Sequence, residues 1–386
     1  MQKVKDISLA DTIGETEEAW WRILMPVTTR IGDAVSGTEL HGRTIACFQH
    51  IRLNTVPTLL PLAEAGARVR VAAVNPDSTD DVAAAMLAKR GVDVWGWSRM
   101  ADADVQEGLK WLLSEPADAA SDMGGELIAG MARRGYEPIA ALEATTSGLH
   151  RLAGMEILFP VYEWNSLPLK DRLHNRHHVG LTAWPAFSAV TGLAIHGRSV
   201  LVVGFGPVGR GVALAARALG AVVSVAEVDP VRANEAQHHG CRDVPLDEGL
   251  ESAAIVVTAT GRENVLGPDQ LCRLRSGAIL VNVGHSNREI DVAWLNRQPH
   301  ETVRESVDRY LIDDREVFLV NRGSLVNLAP GAGTAMDEYF DPFAALMLHG
   351  IAWILGGGDP GASAGLQPYP PHLEAEVAEL TRRVRT

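Results

Sequence analysis

Ser199-Val200-Leu201-Val202-Val203-Gly204-Phe205-Gly206-Pro207-Val208-Gly209-Arg210-Gly211 decides the fold of half the chain. Ser199 to Val203 is almost wholly apolar and β-branched, the pattern of a strand buried on both faces of a parallel sheet. It stops at a glycine, and Gly204, Gly206 and Gly209 then fall in the G-x-G-x-x-G spacing ahead of a helix, Val212 to Leu219. A second strand, Val222 to Val225, leads to an acid, Glu227. Strand, glycine turn, helix, strand and acid in this order form a dinucleotide-binding unit, whereas the glycines alone say little. Gly204 permits the tight turn, Gly206 lets backbone approach a pyrophosphate, and Gly209 allows the helix to lie close to the strand. Pro207 and Val208 fall within the glycine loop, and the helix that follows turns free N–H groups and its positive dipole end to the phosphates. Glu227 suits the ribose hydroxyls and repels a 2′-phosphate, which selects NAD over NADP, although Arg232 nearby argues the other way.

Working outward, Ile255 to Val257 and Ile279 to Val283 are further strand signals, so 197–330 forms one α/β unit. Upstream, strands are expected at Thr44–Phe48, Ala67–Val74 and Val92–Trp95, with helices at Val56–Ala65, Asp81–Lys89 and Asp104–Leu113. Gly124-Gly125 opens a helix towards Arg134, Met155 to Pro160 reads as a strand, and 176–196 reads as one long helix. The N-terminal region is helical around Glu15 to Ile31 with a break at Pro26. Past Pro330 come a helix at Ala344–Leu355, a Gly/Pro loop and a charged final helix.

The 386 residues are 46% hydrophobic, enough to build real cores. Lys and Arg number 35 against 48 Asp and Glu, a net charge of −13 that argues against a nucleic-acid partner. Three scattered cysteines, Cys47, Cys241 and Cys272, support neither a disulfide framework nor a thiolate zinc site. No signal-peptide pattern and no membrane-length apolar run occurs, so a cytoplasmic protein without a membrane partner is expected.

With these features in place, the chain resembles the S-adenosyl-L-homocysteine hydrolase (adenosylhomocysteinase) family over nearly its whole length. Gly204 to Gly211 is similar to that family's Gly-Tyr-Gly-Asp-Val-Gly-Lys-Gly, and Val225 to Pro230 to its Val-Thr-Glu-Ile-Asp-Pro. Asn282-Val283-Gly284-His285 resembles Asn-Ile-Gly-His, and Leu325-Val326-Asn327-Leu328 resembles Leu-Val-Asn-Leu. Ile7 to Asp11, Asn75 to Asp81 and Gly124 to Leu127 extend the likeness into the first half. The resemblance implies an α/β fold with a Rossmann-type NAD domain inserted into a second α/β substrate-binding domain. Expected limits are 1–178 for the substrate domain, 179–335 for the NAD domain and 336–386 for the return segment. It also implies transient oxidation of an adenine nucleoside's 3′-hydroxyl by tightly held NAD, loss of the neighbouring proton, and β-elimination at C5′.

Residue by residue, the resemblance implies catalytic roles for His50, Lys170 and His285, with His174 standing where the family has an aspartate. It implies substrate contacts at Asn54, Asn75, Glu126, Asn165 and Thr334. Thr145, Thr146, Ser147, Asn175, Thr260, Gly261, Val283, Gly284, His285 and Asn327 join the glycine loop, Glu227 and Arg232 as expected NAD contacts. Several positions depart from the family pattern. Met123 and Ala144 replace carboxylates, His174 replaces another, Thr334 replaces a histidine, and Arg52 replaces a threonine near the purine site. The Lys-Pro-x-x-Tyr-Arg-Tyr tail is missing, which leaves a homo-oligomer expected with dimer and tetramer both open. NAD binding tolerates these changes, whereas the lost carboxylates count against hydrolysis of the thioether. A dehydratase giving an unsaturated sugar, as in angustmycin-type nucleoside antibiotics, fits the altered pocket. Authentic S-adenosyl-L-homocysteine hydrolysis and a catalytically silent NAD-binding regulator stay open. His174 and His178 share i, i+4 spacing, yet no carboxylate pair accompanies them, so no metal is expected.

Overall fold

The computed structural model describes residues 3–13, 15–284, 287–329, 332 and 337–384. Strands run in chain order as β1 (Thr44–Gln49), β2 (Arg68–Ala73), β3 (Asp93–Trp95), β4 (Ala119–Asp122), β5 (Ala140–Glu143) and β6 (Pro160–Glu163). Next come β7 (Ser199–Val203), β8 (Val222–Ala226), β9 (Arg242–Asp243), β10 (Ile255–Thr258) and β11 (Ala278–Asn282). The last are β12 (His300–Arg304), β13 (Val307–Ile312), β14 (Arg315–Val320) and β15 (Gly365–Pro368). The chain divides into two compact units, one of 1–170 with 337–386 and one of 171–336.

The first unit holds a sheet in the order β15-β6-β5-β4-β1-β2-β3, with every pairing parallel. The order reverses between β1 and β4, and open α/β sheets receive ligands at the carboxyl ends of strands at such a point. Asp341–Leu355, almost continuously buried, lies against β4 and β5 and brings the C-terminal segment into this core. Asp341 fixes its start, accepting the Val27 and Thr28 N–H groups at 2.9 and 2.7 Å.

The second unit holds a sheet in the order β12-β13-β14-β11-β10-β7-β8-β9. From β14 to β9 it is parallel and follows the dinucleotide-binding arrangement, with its reversal between β7 and β10. The hairpins β12-β13-β14 add an antiparallel edge.

Two expected elements are corrected. Residues 155–159 form no strand; the register sets Val161 opposite Ala141, so anything before Pro160 overshoots the start of β5. The helix expected over 176–196 is a wide π-type turn, Leu169–His178, followed by an α-helix, Val179–Thr191. Gly192, at φ +73°, caps it in the left-handed region four residues before the expected end. The strands β4, β5, β12–β15 carry no signal read from the sequence. Among the described residues, no helix is long and apolar enough to cross a membrane. Cys47, Cys241 and Cys272 are free thiols.

Candidate active site

In the second unit, β7 delivers Gly204 at φ +93°, a conformation that a side chain resists. A Cβ on Gly209 would lie 2.0 Å from the Gly204 carbonyl oxygen, so the helix Pro207–Ala218 is seated directly on the turn. A Cβ on Gly206 would meet only Arg232 Nη1, at 3.7 Å. That open face, at the uncapped start of a helix with Pro207 at its first position, fits a pyrophosphate. Val208 lies in the same first turn.

Glu227 is locked at the tip of β8. Its Oε2 accepts the Phe205 N–H at 2.6 Å, and its Oε1 accepts those of Val228 and Asp229 at 2.7 and 2.9 Å. Of the roughly four acceptor sites of a carboxylate three are filled, and the one left, on Oε2, suits a ribose hydroxyl. Arg232 pairs with Asp229 at 3.8 Å while its guanidinium reaches towards Gly206.

A residue that sequence reading missed organises the opposite wall. Buried Glu289 accepts the Thr260 N–H and hydroxyl at 2.9 and 2.8 Å, and the Gly261 N–H at 2.8 Å. A Cβ on Gly284 would sit 1.5 Å from its Oε1, so glycine is required there. Gly284 also donates to Asn282 Oδ1 at 2.8 Å, and the Val283 N–H donates to the Thr258 carbonyl at 3.0 Å. Asn327 Oδ1 is buried with no protein donor, an acceptor left for a ligand. The Asn175 and Arg176 carbonyls press on Gly211, where a Cβ would come within 2.8 Å. His174 and His178 lie edge to face at 6.2 Å, His178 buried and His177 exposed. Among the described residues, no group of three or more His, Cys, Asp or Glu side chains is arranged to hold a metal ion.

In the first unit, Lys170 is buried. Its ammonium donates to the Ala144 carbonyl and, at 3.0 Å, to Asn165 Oδ1. It lies 4.8 Å above the Phe343 ring, which stacks on Trp164 at 4.5 Å. Burial pulls the Lys170 amine down to about 8, with the charges of Glu143 and Glu163 opposing the fall. Asn165 ties this group to Thr146, donating to its hydroxyl at 2.9 Å. Thr145 caps the helix Thr146–Leu152 by accepting the Gly148 N–H at 2.9 Å, and shares a 3.2 Å hydroxyl contact with Ser147.

His50 follows β1. Its Nδ1 lies 2.5 Å from the Ser78 hydroxyl, which in turn donates to the Asn75 carbonyl at 3.1 Å. With that hydroxyl proton used, Nδ1 is the donor and Nε2 the basic nitrogen. The Asn75 side chain caps Pro76–Ser78. Asn54 is buried in the turn after His50. Gln49, at the end of β1, is wholly buried with neither amide atom partnered within the fold, and carried no sequence signal. Glu126 is engaged by Arg151 at 3.2 Å. Met123 and Ala144 are buried where the family pattern has carboxylates. His285 and Thr334 lie outside the described residues.

The sequence model of the S-adenosyl-L-homocysteine hydrolase family matches residues 1–147, and that of the same family's NAD binding domain matches residues 185–333. The S-inosyl-L-homocysteine hydrolase of Methanothermobacter thermautotrophicus is 35% identical over 98% of this chain and 93% of its own. The chain belongs to the S-adenosyl-L-homocysteine hydrolase family. Adenosylhomocysteinases of Aeropyrum pernix and Thermotoga maritima are 35% and 34% identical, covering 90% and 89% of the chain and 86% and 87% of their own lengths. This family member is an NAD-using enzyme, and NAD is its cofactor. The open Gly206 face and the anchored Glu227 are the features of its own structure that fit the dinucleotide.

Proposed function

We propose that this family member carries out an NAD-assisted elimination on the sugar of an adenine nucleoside, with water as the leaving group and an unsaturated nucleoside as product. The observation that carries the reading is the setting of Lys170. Its amine is buried on two neutral oxygens, Ala144 O and Asn165 Oδ1, and Ala144 stands where the family pattern has a carboxylate.

NAD supplies a hydride acceptor at the start of the reaction and a hydride donor at its end. Lys170, as the free amine, takes the proton of the sugar hydroxyl while its carbon is oxidised. The resulting ketone acidifies the adjacent C–H bond. His50 Nε2 takes that proton as the C=C bond forms and the C–O bond of the terminal carbon breaks. The imidazolium then gives the proton to the departing hydroxide, and one water leaves. Lys170 returns its proton as the ketone is reduced, so only water is lost. His285 is a second candidate for the proton transfer at the sugar, with Asn54, Asn75, Asn165 and Thr334 as substrate contacts.

A second reading, thioether hydrolysis releasing homocysteine, is favoured by the names that the relatives carry. The NAD-loaded protein, incubated in deuterated water with adenine pentose and ketose nucleosides and with S-adenosylhomocysteine, separates the two by mass spectrometry. Deuterium beside the oxidised position in recovered substrate, with loss of water and no thiol, is expected. Thiol release installs the hydrolase instead. Neither exchange nor product across the panel removes both in favour of a silent NAD-binding protein.

A further inference from the structure

β4 and β5 run parallel with Asp122 directly opposite Glu143, so the two side chains leave the sheet on the same face. Both residues are wholly buried. Each carboxyl group has one oxygen committed. Asp122 Oδ2 accepts the Ile128 N–H at 2.9 Å. Glu143 Oε1 accepts the Gly124 N–H at 3.3 Å, the Thr145 N–H at 2.7 Å and the Thr145 hydroxyl at 2.6 Å. Asp122 Oδ1 and Glu143 Oε2 meet no donor in the fold. Two adjacent buried carboxylates would repel each other and leave both free oxygens unsatisfied, whereas one proton between them serves both.

The surroundings decide which group keeps the charge. Facing Asp122 are two further acids, Glu143 and Glu126, besides backbone donors at the start of Glu126–Arg133. Arg151, the nearby cation on Thr146–Leu152, is spent on the Gly124 carbonyl and Glu126. Facing Glu143 are the two Thr145 donors, Gly124 and the Lys170 ammonium. Glu163, on β6, is the other acid acting on Lys170, and its Oε2 is engaged by the Asn165 and Ser166 N–H groups.

We infer that Asp122 is a neutral acid whose hydroxyl donates to Glu143, and that the single charge left on Glu143 sets the pH at which Lys170 gives up its proton. Both are positioning residues acting through Lys170. Burial and the neighbouring acids raise Asp122 well above the usual carboxylate range, and burial raises Glu143 to about 7. On this inference the pair carries one proton and one charge at pH 8, the state that the test reads. The inference deepens the proposed role of Lys170 and rests on it for its catalytic meaning.

The test uses the full-length NAD-loaded protein and no turnover. Infrared spectra at pH 8 report the C=O band of a protonated carboxyl group. Lysine labelled with ¹³C at Cε, with Lys170 assigned through Lys170→Met, reports its titration. The wild type shows the acid band; Asp122→Asn loses it and Glu143→Gln keeps it. The Lys170 midpoint falls by about 1 pH unit or more in Glu143→Gln, because a neighbouring opposite charge is removed. It stays in place in Asp122→Asn, which leaves the charge on Glu143. An acid band absent from the wild type, or kept in Asp122→Asn, overturns the inference, as does an unmoved Lys170 midpoint in Glu143→Gln. The wild-type spectrum decides even if a variant fails to fold. A nucleoside panel without product leaves these readouts untouched, so the two failures are told apart.

Discussion

Replacing Gly206 and Gly209 separately by alanine distinguishes a glycine kept for the ligand from one kept for the fold. At Gly206 the backbone, φ −65° and ψ −175°, is open to alanine, and the new methyl would meet only Arg232 Nη1 at 3.7 Å. Alanine is a poorer N-cap than glycine by a few tenths of a kcal/mol or more, but it also restricts the unfolded chain by about 0.4–1 kcal/mol. The two effects offset, so the stability of NAD-free protein stays within about 0.5 kcal/mol. The methyl, however, occupies the face at which a phosphate oxygen must come within about 2.9 Å of backbone N–H groups. Losing one or two such bonds, at roughly 1.5 kcal/mol each for a charged partner, weakens NAD binding about 10- to 100-fold. At Gly209 the methyl would lie 2.0 Å from the Gly204 carbonyl oxygen. The helix must retreat by roughly 1 Å, an overpacking that costs about 1–3 kcal/mol and lowers the melting temperature even without ligand. Titration calorimetry with NAD and thermal melts of NAD-free protein measure the two quantities apart, since bound ligand would mask the second. Gly206→Ala binding NAD as tightly as the wild type, or melting as low as Gly209→Ala, refutes the assignment.

Two further outcomes follow from the site geometry. Lys170→Met abolishes deuterium exchange, and wild-type exchange rises with pH through about 8 as the amine is freed. The same shift, from 10.5 to about 8, implies that the fold holds the ammonium at a cost on the order of 3 kcal/mol. The contact with Phe343 and two lost hydrogen bonds reduce the gain, so Lys170→Met is more stable by about 1–2 kcal/mol at pH 7. The sign follows from proton linkage: the unfolded chain binds the Lys170 proton more tightly, so the wild type recovers between the folded and unfolded values and the gain vanishes above 10.5. Urea melts at pH 7 and at high pH check this, and a destabilised variant at pH 7 contradicts it. Glu227→Ser leaves the Phe205, Val228 and Asp229 N–H groups without their carboxylate and removes the repulsion of a 2′-phosphate. The ratio of NAD to NADP affinity falls by about tenfold or more, and an unchanged ratio in a binding titration assigns selectivity elsewhere.

How much was legible depends on what each segment had to accomplish. β7 could be read because a parallel strand buried on both faces needs an unbroken apolar run, and the glycine turn needs glycines at fixed offsets. Lys170 and His50 were reached through resemblance, since a lone lysine or histidine has no spacing of its own. Gln49 and Glu289 escaped because each acts across the fold: Glu289 braces Thr260 and Gly261 from a stretch distant in sequence.

The most instructive omission is β4 with β5. Ala119-Ala120-Ser121-Asp122 and Ala140-Ala141-Leu142-Glu143 are four residues each, rich in alanine, and each ends in an acid. None of this favours a strand: alanine is a poor strand former, and the acid breaks the apolar run. Tertiary packing overrides that weak preference, because the strands are held on both sides by β1 and β6 and roofed by Asp341–Leu355. The pairing of the two acids is unreadable for the same reason that it matters. A carboxyl group at the end of a buried central strand is unfavourable unless a partner receives it, and the partner of each is the other, twenty residues of intervening chain notwithstanding — a register known only once β4 and β5 are paired. Local consistency therefore fails at the point where the chain places its buried charge, which is where chemistry on the Lys170 amine would require it.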